Sequence, residues 1–294
     1  MKINKSVEER LNAIESLPTL PAIAAQLLRL LTENNSSISR MSQLITSDPS
    51  ITSKILKIAN SAFYGVRKKI DTIRLAMVVL GLNEIRNIVL SVSIFRTFSD
   101  VDDSDSFDRD KFWHHSIAVG HFARVLVKEL KINTHGEEFT AGLIHDIGKI
   151  VMDQYFHDDF IKSFNFSREK KISNYAAEKK FIGATHMEIG AWLANNWRLP
   201  SKLIDSIAYH HNPFSYIEDD PLMIYIVSLC NINARKFGFS ETSSFEDKKI
   251  DEKKIWREIE KYSNVQQINR NEVLNKMKEE KENIKVYISQ LMQM

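Results

Sequence analysis

Residues 141–149 read Ala141-Gly142-Leu143-Ile144-His145-Asp146-Ile147-Gly148-Lys149. Within five positions the stretch joins two candidate metal ligands, a small residue and a cation. His145 offers an imidazole nitrogen, and Asp146 a carboxylate that can bridge two ions. Gly148 removes bulk beside them, and Lys149 can meet a phosphate oxygen. A lone His-Asp pair arises often by chance. Its weight here comes from where the other histidines fall.

The chain has nine histidines. His115 lies upstream in Phe112-Trp113-His114-His115-Ser116. His186 lies in Gly183-Ala184-Thr185-His186-Met187-Glu188-Ile189-Gly190. His210 and His211 close Leu203-Ile204-Asp205-Ser206-Ile207-Ala208-Tyr209-His210-His211. With His145 they occupy helix-like, apolar contexts. Imidazole and carboxylate together suit zinc, manganese, iron or nickel. The separations are too long for a zinc finger and suit a site between the helices of a bundle, each helix giving one or two ligands. His114, His121, His135 and His157 read as ordinary packed residues.

Further patterns stand along the chain. They are Leu17-Pro18-Thr19-Leu20-Pro21, the run from Ser47 to Gly65 that opens Ser47-Asp48-Pro49-Ser50-Ile51, Gly183 to His186, and Trp197-Arg198-Leu199-Pro200. On these, residues 10–240 resemble the HDOD family of bacterial signalling proteins. The run from His115 to residue 239 resembles the HD superfamily of metal-dependent phosphohydrolases. The resemblance implies an all-α, multi-helix fold. It matches His115 to the first metal-binding histidine, His145-Asp146 to the HD pair, and Lys149 to a phosphate-contacting lysine. His186, His210 and His211 match the extra histidines of two-metal HD-GYP phosphodiesterases. Most HDOD proteins have lost these residues and act as binding or regulatory modules.

Two departures stand out. The family's last ligand is an Asp in the helix Tyr225–Ala234, where this chain has Asn231, a poor neutral ligand. The set His115, His145, Asp146 is thereby weakened, while Asp146, His186, His210, His211 stays complete. Asn212-Pro213-Phe214-Ser215-Tyr216 replaces the GYP signature, which argues against cyclic di-GMP hydrolysis.

Composition agrees with a helical protein. The 294 residues suffice for one large or two small domains. Nine Gly and six Pro argue against the many tight turns of a sandwich or barrel. Cys230 stands alone, so no intramolecular disulfide forms, in keeping with a reducing cytoplasm. The first nine residues do not read as a secretory signal, and no run of about 18 apolar residues exists to span a bilayer. A net charge of +2 gives no electrostatic argument for nucleic acid or an anionic membrane.

Three segments are expected: residues 1–100, the N-terminal helical part; 106–240, the HD-like helical part carrying the site; and 250–294, a C-terminal extension. Asp48-Pro49 reads as a helix start, with Asp48 as cap and Pro49 at the first helical position. Asp71 is expected to cap a helix ending at Gly81. Asn87–Phe95 alternates like a strand but is read as helix from its neighbours. The acidic stretch 99–110 reads as a hinge and 240–253 as a linker. Leu274, Met277, Lys281, Ile284, Ile288 and Leu291 form one heptad-like helix seam. Packing back on its own domain is preferred there over a homodimer or partner contact.

The favoured function is a signalling or regulatory module that holds one or two divalent transition-metal ions and engages a protein or nucleotide partner. The alternative is a metal-dependent phosphohydrolase or phosphodiesterase, with Asp146 orienting the attacking water and Lys149 stabilising charge on phosphate. Residues 41–58 can be drawn as helix-turn-helix, but Lys54 and Lys57 are too few cations for nucleic acid.

Overall fold

A computed structural model of the chain describes residues 3–14, 17–32, 38–61, 63–98, 107–134, 136–240 and 250–292. His135, most of the acidic stretch and most of the 240–253 linker lie outside the described residues. In chain order the helices are α1 (Lys5–Asn12), α2 (Ala22–Thr32), α3 (Ile38–Thr46), α4 (Pro49–Ala59), α5 (Ile73–Leu80) and α6 (Leu82–Thr97). Then come α7 (Arg109–Glu129), α8 (Glu137–Ile144), α9 (Ile147–Tyr155), α10 (His157–Lys170), α11 (Asn174–Phe181) and α12 (His186–Asn196). The series ends with α13 (Ser201–Tyr209), α14 (Leu222–Lys236), α15 (Glu252–Glu260), α16 (Arg270–Glu279) and α17 (Lys281–Met292). No strand occurs among the described residues, and the protein is all-α.

By contact the chain gathers into two units. One comprises Pro18–Asp100 and Glu280–Met294; the other comprises Met1–Leu17 and Val101–Glu279. The segment 250–294 is thus divided between them.

In the smaller unit, α4 begins as its sequence dictates. The Asp48 carboxylate accepts from the Ile51 N–H at 3.0 Å, with Pro49 at the first helical position. Such a cap stabilises a helix by about 1 kcal/mol. The next cap corrects the sequence reading. Thr72, not Asp71, caps α5, its hydroxyl accepting from the Leu75 N–H at 3.2 Å. Gly81 ends α5 at φ 88, a backbone conformation open to glycine. There the chain turns by 120° into α6, where residues 84–94 are all buried. A helix enclosed on every side needs no polar face. That is why its sequence lacks a clear 3.6-residue period and mimics strand alternation. No single helix among the described residues is long and apolar enough to cross a membrane.

The C-terminal seam is two helices, α16 and α17, rather than one. Lys276 of α16 pairs with Glu129 of α7 at 2.6 Å. The Tyr287 ring of α17 lies 5.2 Å from that of Phe63. Ile284, Ile288 and Leu291 of α17 are buried.

In the larger unit, α7 and α14 pack together, and α8, α9, α12 and α13 complete the surroundings of the histidines. Arg109 at the start of α7 donates from Nε to Asp153 of α9 at 2.6 Å, and both side chains are buried. His121 is buried on α7 with its ring edge-on to Phe139 at 5.2 Å. Burial, then Arg124, pushes its pKa well below 6.5. The unfolded chain therefore takes up a proton that the folded chain refuses. Stability is retained above pH 6.5 and falls below it by about 1.4 kcal/mol per pH unit for this one group. Urea titrations at pH 7 and pH 5 should show a smaller acid loss in His121→Leu than in the parent chain.

Candidate metal centre

The His-Asp pair sits at a break in a helix. α8 ends at Ile144 and α9 begins at Ile147, with Asp146 at φ −103, ψ 11 between them. Glycines flank the break because other backbones pass there. A Cβ on Gly142 would stand 2.6 Å from the Cα of Gly120, which brings α8 against α7, the helix of His115. A Cβ on Gly148 would stand 2.0 Å from the carbonyl oxygen of His186 and 2.8 Å from the nitrogen of Gly190. That contact brings α9 against α12, the helix of His186. His186 is the first residue of α12, whose start is fixed by a capping box between Thr185 and Glu188. His210 follows α13, and its carbonyl accepts from the Ser228 hydroxyl of α14 at 2.7 Å.

Each of four rings is oriented through Nδ1. His115 Nδ1 faces the Phe239 carbonyl at 2.8 Å, His145 Nδ1 that of Gly142 at 2.7 Å, and His210 Nδ1 that of Ile207 at 2.8 Å. A carbonyl only accepts, so these Nδ1 atoms carry hydrogen and Nε2 of the neutral ring presents its lone pair. His186 Nδ1 faces the Glu178 carboxylate at 2.8 and 2.9 Å, and the same carboxylate accepts the His186 backbone N–H at 2.8 Å.

The Nε2 atoms converge on Asp146, which is wholly buried. Its Oδ1 lies 3.3 Å from Nε2 of both His186 and His210. Its Oδ2 lies 3.3 Å from His145 Nε2, 3.9 Å from His115 Nε2 and 2.8 Å from Lys149 Nζ. His211 completes the first group, its ring 4.2 Å from that of His210 and 5.2 Å from that of His186. Two sets of candidate ligand atoms result, each within 4.8 Å of one another: Asp146, His186, His210, His211 and His115, His145, Asp146. Asp146 belongs to both.

These residues fit a metal on the state of their own atoms. Nε2 of His145, His186 and His210 and Oδ1 of Asp146 are buried without a hydrogen-bond partner among the described residues. Unmatched buried lone pairs are costly, and several aimed at one point are what a cation satisfies. Asn231 of α14 lies where the resemblance to the HD superfamily implies an acid. Its Oδ1 is 2.9 Å from His115 Nε2, while its Nδ2 has no partner among the described residues. Two acceptors facing each other either share a cation or require the amide to turn end for end and donate. Asn231 thus stands beside the set His115, His145, Asp146.

Protonation follows burial. Burial, then Arg235 and His145, pushes His115 down to about 3. Burial, then His211, holds His210 well below its ordinary value. Burial would lower His186 too, but the Glu178 carboxylate outweighs it and raises that ring. Burial works to raise Asp146, yet the neighbouring His145 ring and the Lys149 ammonium outweigh it and hold it well below the usual carboxylate range. A buried ionised carboxylate among imidazole lone pairs is the donor chemistry of a divalent transition metal.

The structure brings together every residue singled out from sequence: His115, His145, Asp146, Lys149, His186, His210 and His211. Sequence reasoning missed Glu178. Its only signal was a carboxylate in Tyr175-Ala176-Ala177-Glu178, eight residues before His186, and charged residues on short helices are ordinarily solvated.

Comparison with known proteins places the chain. The family model for the HDOD domain matches residues 17–213, and the chain belongs to that family. A protein of Treponema pallidum (strain Nichols), itself uncharacterised, is 29% identical over 236 residues, covering 80% of this chain. The chain spans only 44% of that relative's length. Among solved structures, an HDOD domain protein of unknown function from Geobacter sulfurreducens superposes with a TM-score of 0.83 at 22% identity, covering 98% of this chain and 97% of the other. A Shewanella amazonensis SB2B protein named as a phosphohydrolase gives 0.73 at 23% identity, covering 96% and 97%. One from Marinobacter aquaeolei VT8 named as a signal transduction protein gives 0.75 at 20%, covering 99% and 62%. At these identities the likeness establishes the fold.

Proposed function

We propose that this chain is a regulatory HDOD protein whose HD-like helices hold a divalent transition metal as a closed centre, and whose output is the binding of a protein or nucleotide partner. One observation carries the reading. The ligand atoms converge on Asp146 with their second nitrogens already anchored, yet His115, His145, Asp146, His186 and His210 are all 0% exposed. A hydrolase must bring water and a phosphodiester to its metal. A centre with five of its six candidate ligands wholly enclosed, and His211 only 6% exposed, suits holding helices in register, and the neutral Asn231 agrees with that role.

The second reading is a metal-dependent phosphohydrolase, favoured by the Asp146–Lys149 pair. A bound ion would supply Lewis acidity and a water of near-neutral pKa. Asp146 would orient that water, and Lys149 would turn from Asp146 to meet charge on a phosphate oxygen. The readings separate on one assay. Nucleotides, cyclic dinucleotides and a chromogenic phosphodiester are incubated with the manganese-, iron- or zinc-loaded protein. The regulatory reading expects no turnover above the metal-free chain. Robust hydrolysis, abolished in Asp146→Ala, would overturn it in favour of the enzyme.

A further inference from the structure

The two sides of Asp146 are not equivalent. On the Oδ1 side stand His186, His210 and His211, with the buried Glu178 carboxylate behind His186 at 2.8 Å. On the Nδ1 atoms of His115, His145 and His210 stand neutral carbonyls instead. A carboxylate on the far nitrogen makes an imidazole a stronger donor and fixes its orientation. On the Oδ2 side stand His145, His115 and the neutral amide of Asn231, and Oδ2 already carries the Lys149 ammonium at 2.8 Å. Lys149 is 1% exposed, so its charge acts there with little screening by water.

We infer that Lys149 acts as a built-in cation on the Oδ2 side, so that the chain takes one ion tightly, on the His186 side, with Glu178 as its positioning residue, and a second only weakly. This rests on the metal reading above and adds order and stoichiometry to it. A dication entering beside Oδ2 meets the ammonium of Lys149 and gains no negative charge from Asn231. A dication entering beside Oδ1 meets the Asp146 carboxylate and a histidine backed by Glu178. Like charges close together disfavour each other, and opposite charges favour, in the same terms that shift acid–base equilibria. The arrangement also ties the second ion to the position of Lys149. Any anion that drew the ammonium away from Oδ2 would strengthen binding there.

The test is calorimetric titration of Mn2+ and Zn2+ into the metal-free full chain, with ions counted by elemental analysis and folding checked by circular dichroism. The native chain should bind one ion tightly and a second about 100-fold more weakly or not at all. Lys149→Met and Asn231→Asp change the Oδ2 side by different routes, and each should bring the second ion to within about tenfold of the first. Glu178→Gln should weaken the first ion by about 10–100-fold. Should Lys149→Met fail to fold, Asn231→Asp decides alone. Two equal ions in the native chain, or a second ion unmoved by either substitution, would overturn the inference while leaving the metal centre intact. Absence of metal from every form would instead remove the reading on which it rests.

Discussion

Asp146→Ala should lower the unfolding free energy of the metal-free chain by about 3–5 kcal/mol, the cost of removing one partner from a buried ion pair. Asp146 is wholly buried and Lys149 nearly so, with 2.8 Å between Oδ2 and Nζ. The substitution strips the ammonium of that carboxylate inside the protein, where Coulomb interactions are strong. It also leaves the Nε2 atoms of His145, His186 and His210 facing a methyl group. The double variant Asp146→Ala/Lys149→Met should recover most of the loss, because replacing both members of a buried pair by apolar groups is often nearly neutral. Urea titrations of the chain, both singles and the double give the coupling as a double-mutant cycle. Additive losses would mean that Lys149 does not depend on Asp146. The double should regain stability without regaining metal, which separates the electrostatic role of Asp146 from its role as ligand.

Gly148→Ala is the second large effect. The added Cβ would stand 2.0 Å from the His186 carbonyl oxygen, well inside contact distance, and 2.8 Å from the Gly190 nitrogen. Both obstacles are backbone, so no flexible side chain can swing aside. Either α12 moves or the break after Ile144 reshapes, and each moves His186 relative to Asp146. Overpacking of this kind costs about 1–3 kcal/mol, and here the upper end or beyond is expected. The functional loss should exceed the stability loss, since a ligand displaced by 1 Å no longer meets the same ion. Thermal unfolding with and without added Zn2+ checks this. Native protein should gain a metal-dependent rise in Tm, and Gly148→Ala should lose most of it. A variant with the native rise would show that the close crossing of α9 and α12 does not set the site.

Much of this was written in local sequence. Asp48-Pro49 announced α4 because the cap and the missing N–H of proline act within one turn. The histidines announced the centre because imidazoles in apolar contexts have few purposes. Other features depended on tertiary surroundings that no short window contains. Asp71 and Thr72 are adjacent and both able to cap; only the path into α5 selects Thr72. Residues 87–95 alternate because α6 is enclosed on every face, so burial rather than amphipathicity shaped them. The C-terminal seam runs through Lys281 with helical spacing. The chain nonetheless breaks at Glu280, and Met277 belongs to one unit while Ile284 belongs to the other. Glu178 was hidden for the same reason. A carboxylate followed by two lysines reads as solvated until α11 is seen to place it on His186.

The most direct measurement is the metal content of the purified, untagged chain by elemental analysis, beside Asp146→Ala prepared in parallel. The account predicts about one transition-metal ion per native chain and none in the variant. A native chain without metal, even after incubation with manganese, iron or zinc, would contradict it and mark the converging histidines as an inherited polar core.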